Sequence, residues 1–177
     1  KHISVLNCNM VEPKSLVEGG RRYAFKITGQ MNLVKDCYAT EGRHDYNTNA
    51  RVKGPNVFTK CISVKSSSDN GPHHRWAMGT LYDSIVTNNA LNVQDRGNSG
   101  TGHEWAGVNQ VFWNSSGASS VCQDPWVSGH NYNIGWQGSK DNGWHSRPDG
   151  VWEGHNMTGL LPSSLYDAQL RDRTTDA

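Results

Sequence analysis

Histidine and arginine gather in three short clusters: Arg43-His44-Asp45 with Arg51, His73-His74-Arg75, and Arg96-Gly97-Asn98 with His103-Glu104. Trp76 and Trp105 directly follow the second and third clusters. These residue types suit an acidic sugar polymer. An arginine fork matches a carboxylate or sulfate, imidazole exchanges protons near neutral pH, and indole faces stack on sugar rings. β-Elimination beside a uronic acid needs a cation on the carboxylate, a base for the C5 proton and an acid for the departing oxygen. His73, His74 and His103 are therefore the expected proton-moving groups. His44, Arg51, Arg75, Arg96, Asn98, Trp76 and Trp105 are the expected substrate-holding groups. A plainer role stands beside each of these. Histidines and arginines in turns also satisfy backbone carbonyls or pair with Asp45, Asp69, Asp95 and Glu104, and indoles also pack between strands.

Those four carboxylates offer a competing chemistry, because glycoside hydrolysis uses two Asp or Glu residues at a defined separation. No spacing singles out a pair, and the adjoining arginines would keep the groups ionised instead of raising one as a general acid. Hydrolysis therefore ranks behind elimination. A calcium site built from Asp and backbone oxygens has no Asp-rich loop of the required spacing, and no Cys/His spacing fits zinc. Neither a metal nor a cofactor is expected. His130, His145 and His155 fall outside the clusters and receive no role.

The clusters can meet only if the chain brings them into one phase, and the sequence contains a ruler that would do so. Ile3–Cys8, Asn32–Cys37, Asn56–Cys61, Gly79–Ser84, Asn109–Asn114 and Tyr132–Gln137 align without gaps at intervals of 23 to 30 residues. Their last position reads Cys, Cys, Cys, Ser, Asn, Gln. A unit of that length is one coil of a solenoid, which cannot bury its apolar face alone. Short strands are expected at Leu91–Gln94 and Ser120–Gln123 after the aligned units, and at Arg75–Met78 and Glu104–Gly107 before them. Two or three strands per coil is the count of a parallel β-helix. With only 34% hydrophobic residues and 19 glycines in 177 residues, the composition suits coils that bury few side chains and turn often. The expected fold is all-β: a right-handed parallel β-helix of about six coils over residues 1–140, then an irregular segment and a capping helix over 141–177. Ser164-Leu-Tyr-Asp167 reads as a capping box, with Leu165, Tyr166 and Leu170 covering the last coil. Trp144 and Trp152 are expected packing anchors.

Cys8, Cys37 and Cys61 share one phase and should lie above one another, as a reduced apolar stack or, where the geometry allows, a disulfide. Cys122 is out of phase and packs alone. The sequons at Asn114 and Asn156 are candidate glycosylation sites, with Asn114 expected inside the coil and Asn156 accessible. A net charge of +1 gives no global attraction to nucleic acid or an anionic membrane, and no apolar run approaches the roughly 18 residues of a membrane span.

The runs His44–Phe58, Gly71–Asp83 and Asp95–Asn114 resemble secreted right-handed parallel β-helix proteins of the pectate-lyase-like superfamily, and Pro162–Arg171 resembles their carboxyl-terminal ending. The resemblance covers about residues 30 to 171. It implies an extracellular, carbohydrate-active protein, with lyases, hydrolases and non-catalytic binding modules all represented among such folds. The calcium-binding acidic cluster of the best-known pectate lyases has no counterpart here. The resemblance also implies that the chain is the C-terminal part of a longer protein. The first aligned unit begins uncapped at residue 3, so a preceding coil of the same protein, or another chain, is the expected partner there. An acidic polysaccharide is the other.

Overall fold

Runs of β-branched and aromatic residues, broken by Gly, Asn and Ser, form strands of two to seven residues, each stable only through its neighbours. The structure is a computed structural model describing residues 1–175. It is mostly β with parallel sheets and a short C-terminal helix. One of two seven-stranded sheets takes its strands in chain order: Ser4–Leu6, Asn32–Lys35, Asn56–Thr59, Thr80–Asp83, Val111–Trp113, Tyr132–Ile134 and Val151–Glu153. A second runs from Asn9–Met10 through Tyr38–Thr40, Ile62–Val64 and Val86–Thr87 to Ser116–Cys122, which also pairs with Ala90–Val93 and Gln137–Lys140. Phe25–Ile27, Tyr46–Thr48 and Gly71–Pro72 form a third sheet, and Ala77–Met78 pairs with Gly107–Val108. Among the described residues these strands pair in parallel throughout.

The register differs from the sequence alignment after the third unit. Leu33 pairs with Val57 as expected, but Val57 then pairs with Leu81, where the alignment places Thr80 opposite it. The last unit moves two residues against its neighbour, with Tyr132 opposite Val111 where Asn109 was expected. A slip of one residue exchanges the two faces of a strand. What fixes the register is the inward column Val5, Val34, Phe58, Tyr82, Phe112, Asn133 and Trp152. Phe25 stacks on Tyr46, Tyr46 meets Phe58, Phe58 stacks on Tyr82 and Tyr82 meets Phe112, with centroids 5.1 to 5.9 Å apart. Apolar side chains on the other rungs complete this core.

Three residues beyond that column the chain carries a second equivalent position, exposed at Cys8 and buried at Cys37, Cys61, Ile85, Ser115 and Trp136. The residue before each of these turns the corner at positive φ: Asn7, Asp36, Lys60, Ser84, Asn114 and Gly135, with φ between 46° and 73°. Asn114 is thus a corner and not an inward residue. It is half-buried and donates through Nδ2 to the Ser163 carbonyl at 2.8 Å, while Ser115 takes the inner place. Asparagines tie successive strands at their starts: Asn32 Oδ1 accepts the Ile3 amide at 3.2 Å, and Asn56 Oδ1 accepts the Asn32 amide at 3.1 Å.

All four cysteines are free thiols. Cys37 and Cys61 are buried one above the other, and burial pushes the Cys61 thiol up to about 12. Cys8 is exposed on the first rung and Cys122 is buried apart from the stack.

Two expectations for the C-terminal segment are corrected. Val151–Glu153 pairs with Tyr132–Ile134 and adds another strand where irregular chain was expected. The helix Leu165–Thr175 has its expected cap, with Ser164 Oγ accepting the Asp167 amide at 3.1 Å. It is seated on the middle strands and not on the last one, Val151–Glu153. Asp83 Oδ2 accepts the Ser164 hydroxyl at 2.6 Å and the Tyr166 amide at 3.0 Å, while Lys60 binds Asp167, so the helix lies on the flank of the middle strands and buries none of its residues. Trp152 packs on the core, whereas Trp144 is exposed. Among the described residues no helix is long and apolar enough to cross a membrane.

Candidate functional site

Four consecutive passes of the chain deliver the site. Phe25 pairs with Tyr46, so two residues upstream Tyr23 meets His44, with ring centroids 5.0 Å apart. His73 follows the strand Gly71–Pro72 and is anchored by its amide donating to the Thr48 carbonyl at 3.2 Å. The Arg75 amide donates to the His103 carbonyl at 2.9 Å and ties the next pass to it. The loop from Arg96 to Glu104 carries His103, and Gly100 lets it close: a Cβ there would lie 2.3 Å from the His103 ring, at a φ of 57° that side chains rarely adopt.

These supports bring His73 against both its partners. Its Nε2 lies 3.2 Å from the Tyr23 hydroxyl and 3.1 Å from His103 Nε2. Ring centroids separate His73 from His44 by 4.4 Å, from His103 by 4.8 Å and from His74 by 5.1 Å. Two N–H groups cannot face each other at hydrogen-bond distance, so the facing nitrogens of His73 and His103 hold one proton and one lone pair between them. His44 is fixed from below, its Nδ1 2.6 Å from the Asp69 carbonyl and 3.3 Å from Asp69 Oδ1. The buried Arg96 guanidinium binds the Asp69 carboxylate and lies 5.2 Å from the centre of the Trp144 ring.

The groups surround an open cleft of about 410 Å³, lined by Tyr23, Lys26, Arg43, His73, Arg96 and His103 among others. No carboxylate lines it among the described residues. Burial, followed by the neighbouring His44 and Arg96, holds His73 well below the usual imidazole range. His74 is pulled down to about 4 by burial and by His103, and His103 is lowered by burial and Arg96. Burial raises the Tyr23 phenol, so it keeps its proton at neutral pH. Burial alone would raise Asp69, but Arg96 overcomes it and holds the carboxylate ionised. The cleft therefore offers neutral imidazoles on His73, His74 and His103, a protonated phenol and several cations. It can move a proton beside a bound anion.

The predicted site residues divide. His44, His73, His74, His103 and Arg96 line this one cleft. Arg75 sits beside it and donates to Thr101 on the same loop. Arg96 is 4% exposed and spends its charge on Asp69, so it shapes the cleft from behind instead of gripping a ligand. Arg51 is an exposed corner at φ 56° and does not line the cleft. Trp76, Trp105 and Asn98 line a separate cleft of about 290 Å³ together with Asp95, Glu104 and Trp126. Asn156 is exposed. The carboxylates proposed for hydrolysis do not meet in the histidine cleft: Asp45 is fully buried, Asp69 is held by Arg96, and Asp95, bound by Arg147 at 2.6 Å, lines the second cleft with Glu104. Among the described residues no three His, Cys, Asp or Glu side chains converge as metal ligands.

Sequence reasoning missed Tyr23, Lys26 and Trp126. Tyr23 had a usable signal, since it stands two residues before a strand, as His44 does. No protein-family model, curated protein or solved structure matches the chain.

Proposed function

We propose that the chain folds as a right-handed parallel β-helix of the pectate-lyase-like kind and cleaves a uronate-containing polysaccharide by β-elimination. The observation that carries this reading is the convergence of Tyr23 Oη and His103 Nε2 on His73 Nε2, at 3.2 and 3.1 Å, inside a cationic cleft. Lys26, Arg43 and Arg75 neutralise the uronate carboxylate and so acidify the proton at C5. The lone pair shared by His73 and His103 takes that proton. The electrons of the C5–H bond become the C4–C5 double bond, the C4–O4 bond breaks, and Tyr23 gives its proton to the departing O4. The cations that depress the histidines in the free protein are partly cancelled by the incoming carboxylate, which raises imidazole basicity when substrate is present. Among the described residues no carboxylate lines the histidine cleft, and hydrolysis there would need two.

Such a polymer is met outside the cell, where this reading places the protein and where the exposed Asn156 could carry a glycan. Incubation with a panel of uronate polymers should generate unsaturated ends with ultraviolet absorbance. No absorbance on any of them refutes the reading.

A second reading, a non-catalytic module that stacks on another coil, is favoured by the first rung. Ser4–Leu6 pairs on one side only, Ile3 is 58% and Leu6 48% exposed, and a groove of about 370 Å³ opens there beside Val5 and Phe25. Stacking through that edge would make molecular mass rise with concentration. A mass independent of concentration would count against it.

A further inference from the structure

Across the Arg96–Glu104 loop from the histidines lies the second cleft, whose chemistry is the reverse of the first. Its walls are Trp76, Trp105 and Trp126, with centroids 6.2 Å apart between the first two and 5.9 Å between the last two. Trp105 is buried and fixed by its Nε1 donating to the Gly107 carbonyl at 2.9 Å, while Trp76 and Trp126 are 37% and 69% exposed. An exposed indole is normally free to rotate, but Trp126 is held. The Arg147 guanidinium lies 4.2 Å from its ring centre, and Asp95 grips that guanidinium through contacts of 2.6 and 2.8 Å. Burial would raise Asp95, but the Gly97 amide and Arg147 keep it ionised. The exposed Glu104 adds a second carboxylate, and among the described residues no basic side chain lines the cleft.

We infer that this cleft is a stacking subsite for an uncharged sugar residue, and hence that the substrate alternates uronate with neutral sugar. The inference rests on the polysaccharide reading given above. A sugar presents apolar C–H faces to the indoles and hydroxyls to Asn98, Asp95 and Glu104. A uronate placed there would set its carboxylate against two others, with the nearby Arg147 already engaged. Selectivity of this kind comes as much from the repulsive element as from the attractive one. The loop joins the two subsites physically: Ser99, Gly100, Thr101 and His103 face the histidine cleft, while Gly97, Asn98 and Glu104 face the indoles. A polymer crossing the loop would meet cations on one side and stacked rings with carboxylates on the other.

The test compares two acidic oligosaccharides of equal length, a hyaluronan fragment alternating glucuronate with N-acetylglucosamine and an oligogalacturonate. Binding is read by calorimetry in the Tyr23→Phe protein, so that turnover does not interfere. The alternating fragment should bind about tenfold more tightly, a difference of about 1.4 kcal/mol. Trp126→Ala should abolish that preference and leave the oligogalacturonate affinity unchanged. Glu104→Gln should narrow it from the other side by strengthening oligogalacturonate binding. Equal affinity for the two fragments, or equal loss of both on Trp126→Ala, would overturn the inference. A retained preference without unsaturated ends from any polymer would sink the elimination chemistry alone. Binding of neither fragment would remove both.

Discussion

Acidification from neutral pH should weaken the fold through His73, and the size of the effect follows from its surroundings. The ring is 6% exposed and faces Tyr23, His44, Asp69, His74, Arg96 and His103. Burial and the neighbouring His44 and Arg96 outweigh the attraction of Asp69, so the folded ring resists protonation. In the unfolded chain the same imidazole titrates near pH 6.5. Between those two values the unfolded state holds a proton that the folded state does not, so stability rises with pH. The contribution is whole above about pH 6.5 and falls by about 1.4 kcal/mol for each unit below it, or about 2.7 kcal/mol at pH 4.5. His74 and His103 shift in the same direction, but they are more exposed and solvent screening makes their additions smaller. Asp69 acts in a lower window, below about pH 3.9, because its folded pKa is depressed. Asp45, raised by burial, works in the opposite sense, and comparison with a variant cancels it. Urea unfolding of the wild type and of His73→Gln should therefore give stability curves that converge as the pH falls. Parallel curves between pH 7.5 and 5 would refute the electrostatic account of the cluster.

Tyr23→Phe removes the phenolic proton without changing the ring, and should lower the rate of unsaturated-end formation by about 10²- to 10⁴-fold with an unchanged unfolding midpoint. Asp69→Asn strands the buried Arg96 guanidinium and should cost about 3 to 5 kcal/mol in denaturant unfolding; adding Arg96→Met should recover part of that loss. Phe58→Ala opens a gap between Tyr46 and Tyr82, 5.9 and 5.1 Å away, and should cost about 3 to 5 kcal/mol by the same measurement.

Much of this arrangement was legible because it repeats. The Asn32 and Asn56 starts, the Cys37 and Cys61 stack and the strands before residues 79 and 109 all follow from one period. So does the meeting of His44, His73 and His103, which needs only that successive passes share a phase. The register after Asn56–Thr59 was not legible. Leu81 and Tyr82 are both suited to an interior, and only the packing of Phe58 on Tyr82 chooses between them. Tyr23 stayed hidden because it belongs to none of the three His/Arg clusters, although it precedes its strand by two residues as His44 does. The charge of Arg96 was visible, but its burial against Asp69 was not, since the two are 27 residues apart and meet only through the fold. The capping box identified the helix, while its seat depends on Asp83, which no local pattern marks.

The corner column bears on how the chain finds its pairing. Asn7, Asp36, Lys60, Ser84 and Asn114 hold a left-handed backbone that costs an ordinary side chain about 1 to 2 kcal/mol, and polar Asn and Asp less. Shift a rung by one residue and the corner falls instead on Cys37, Cys61 or Ile85, and a β-branched residue such as Ile85 tolerates that conformation worst. Each corner therefore works as a pawl, admitting its rung at one setting and resisting the next. The histidine cluster depends on that mechanism, with His44, His73 and His103 following the corners at Asp36, Lys60 and Ser84, since a single skipped tooth would turn the inner face of a rung outward.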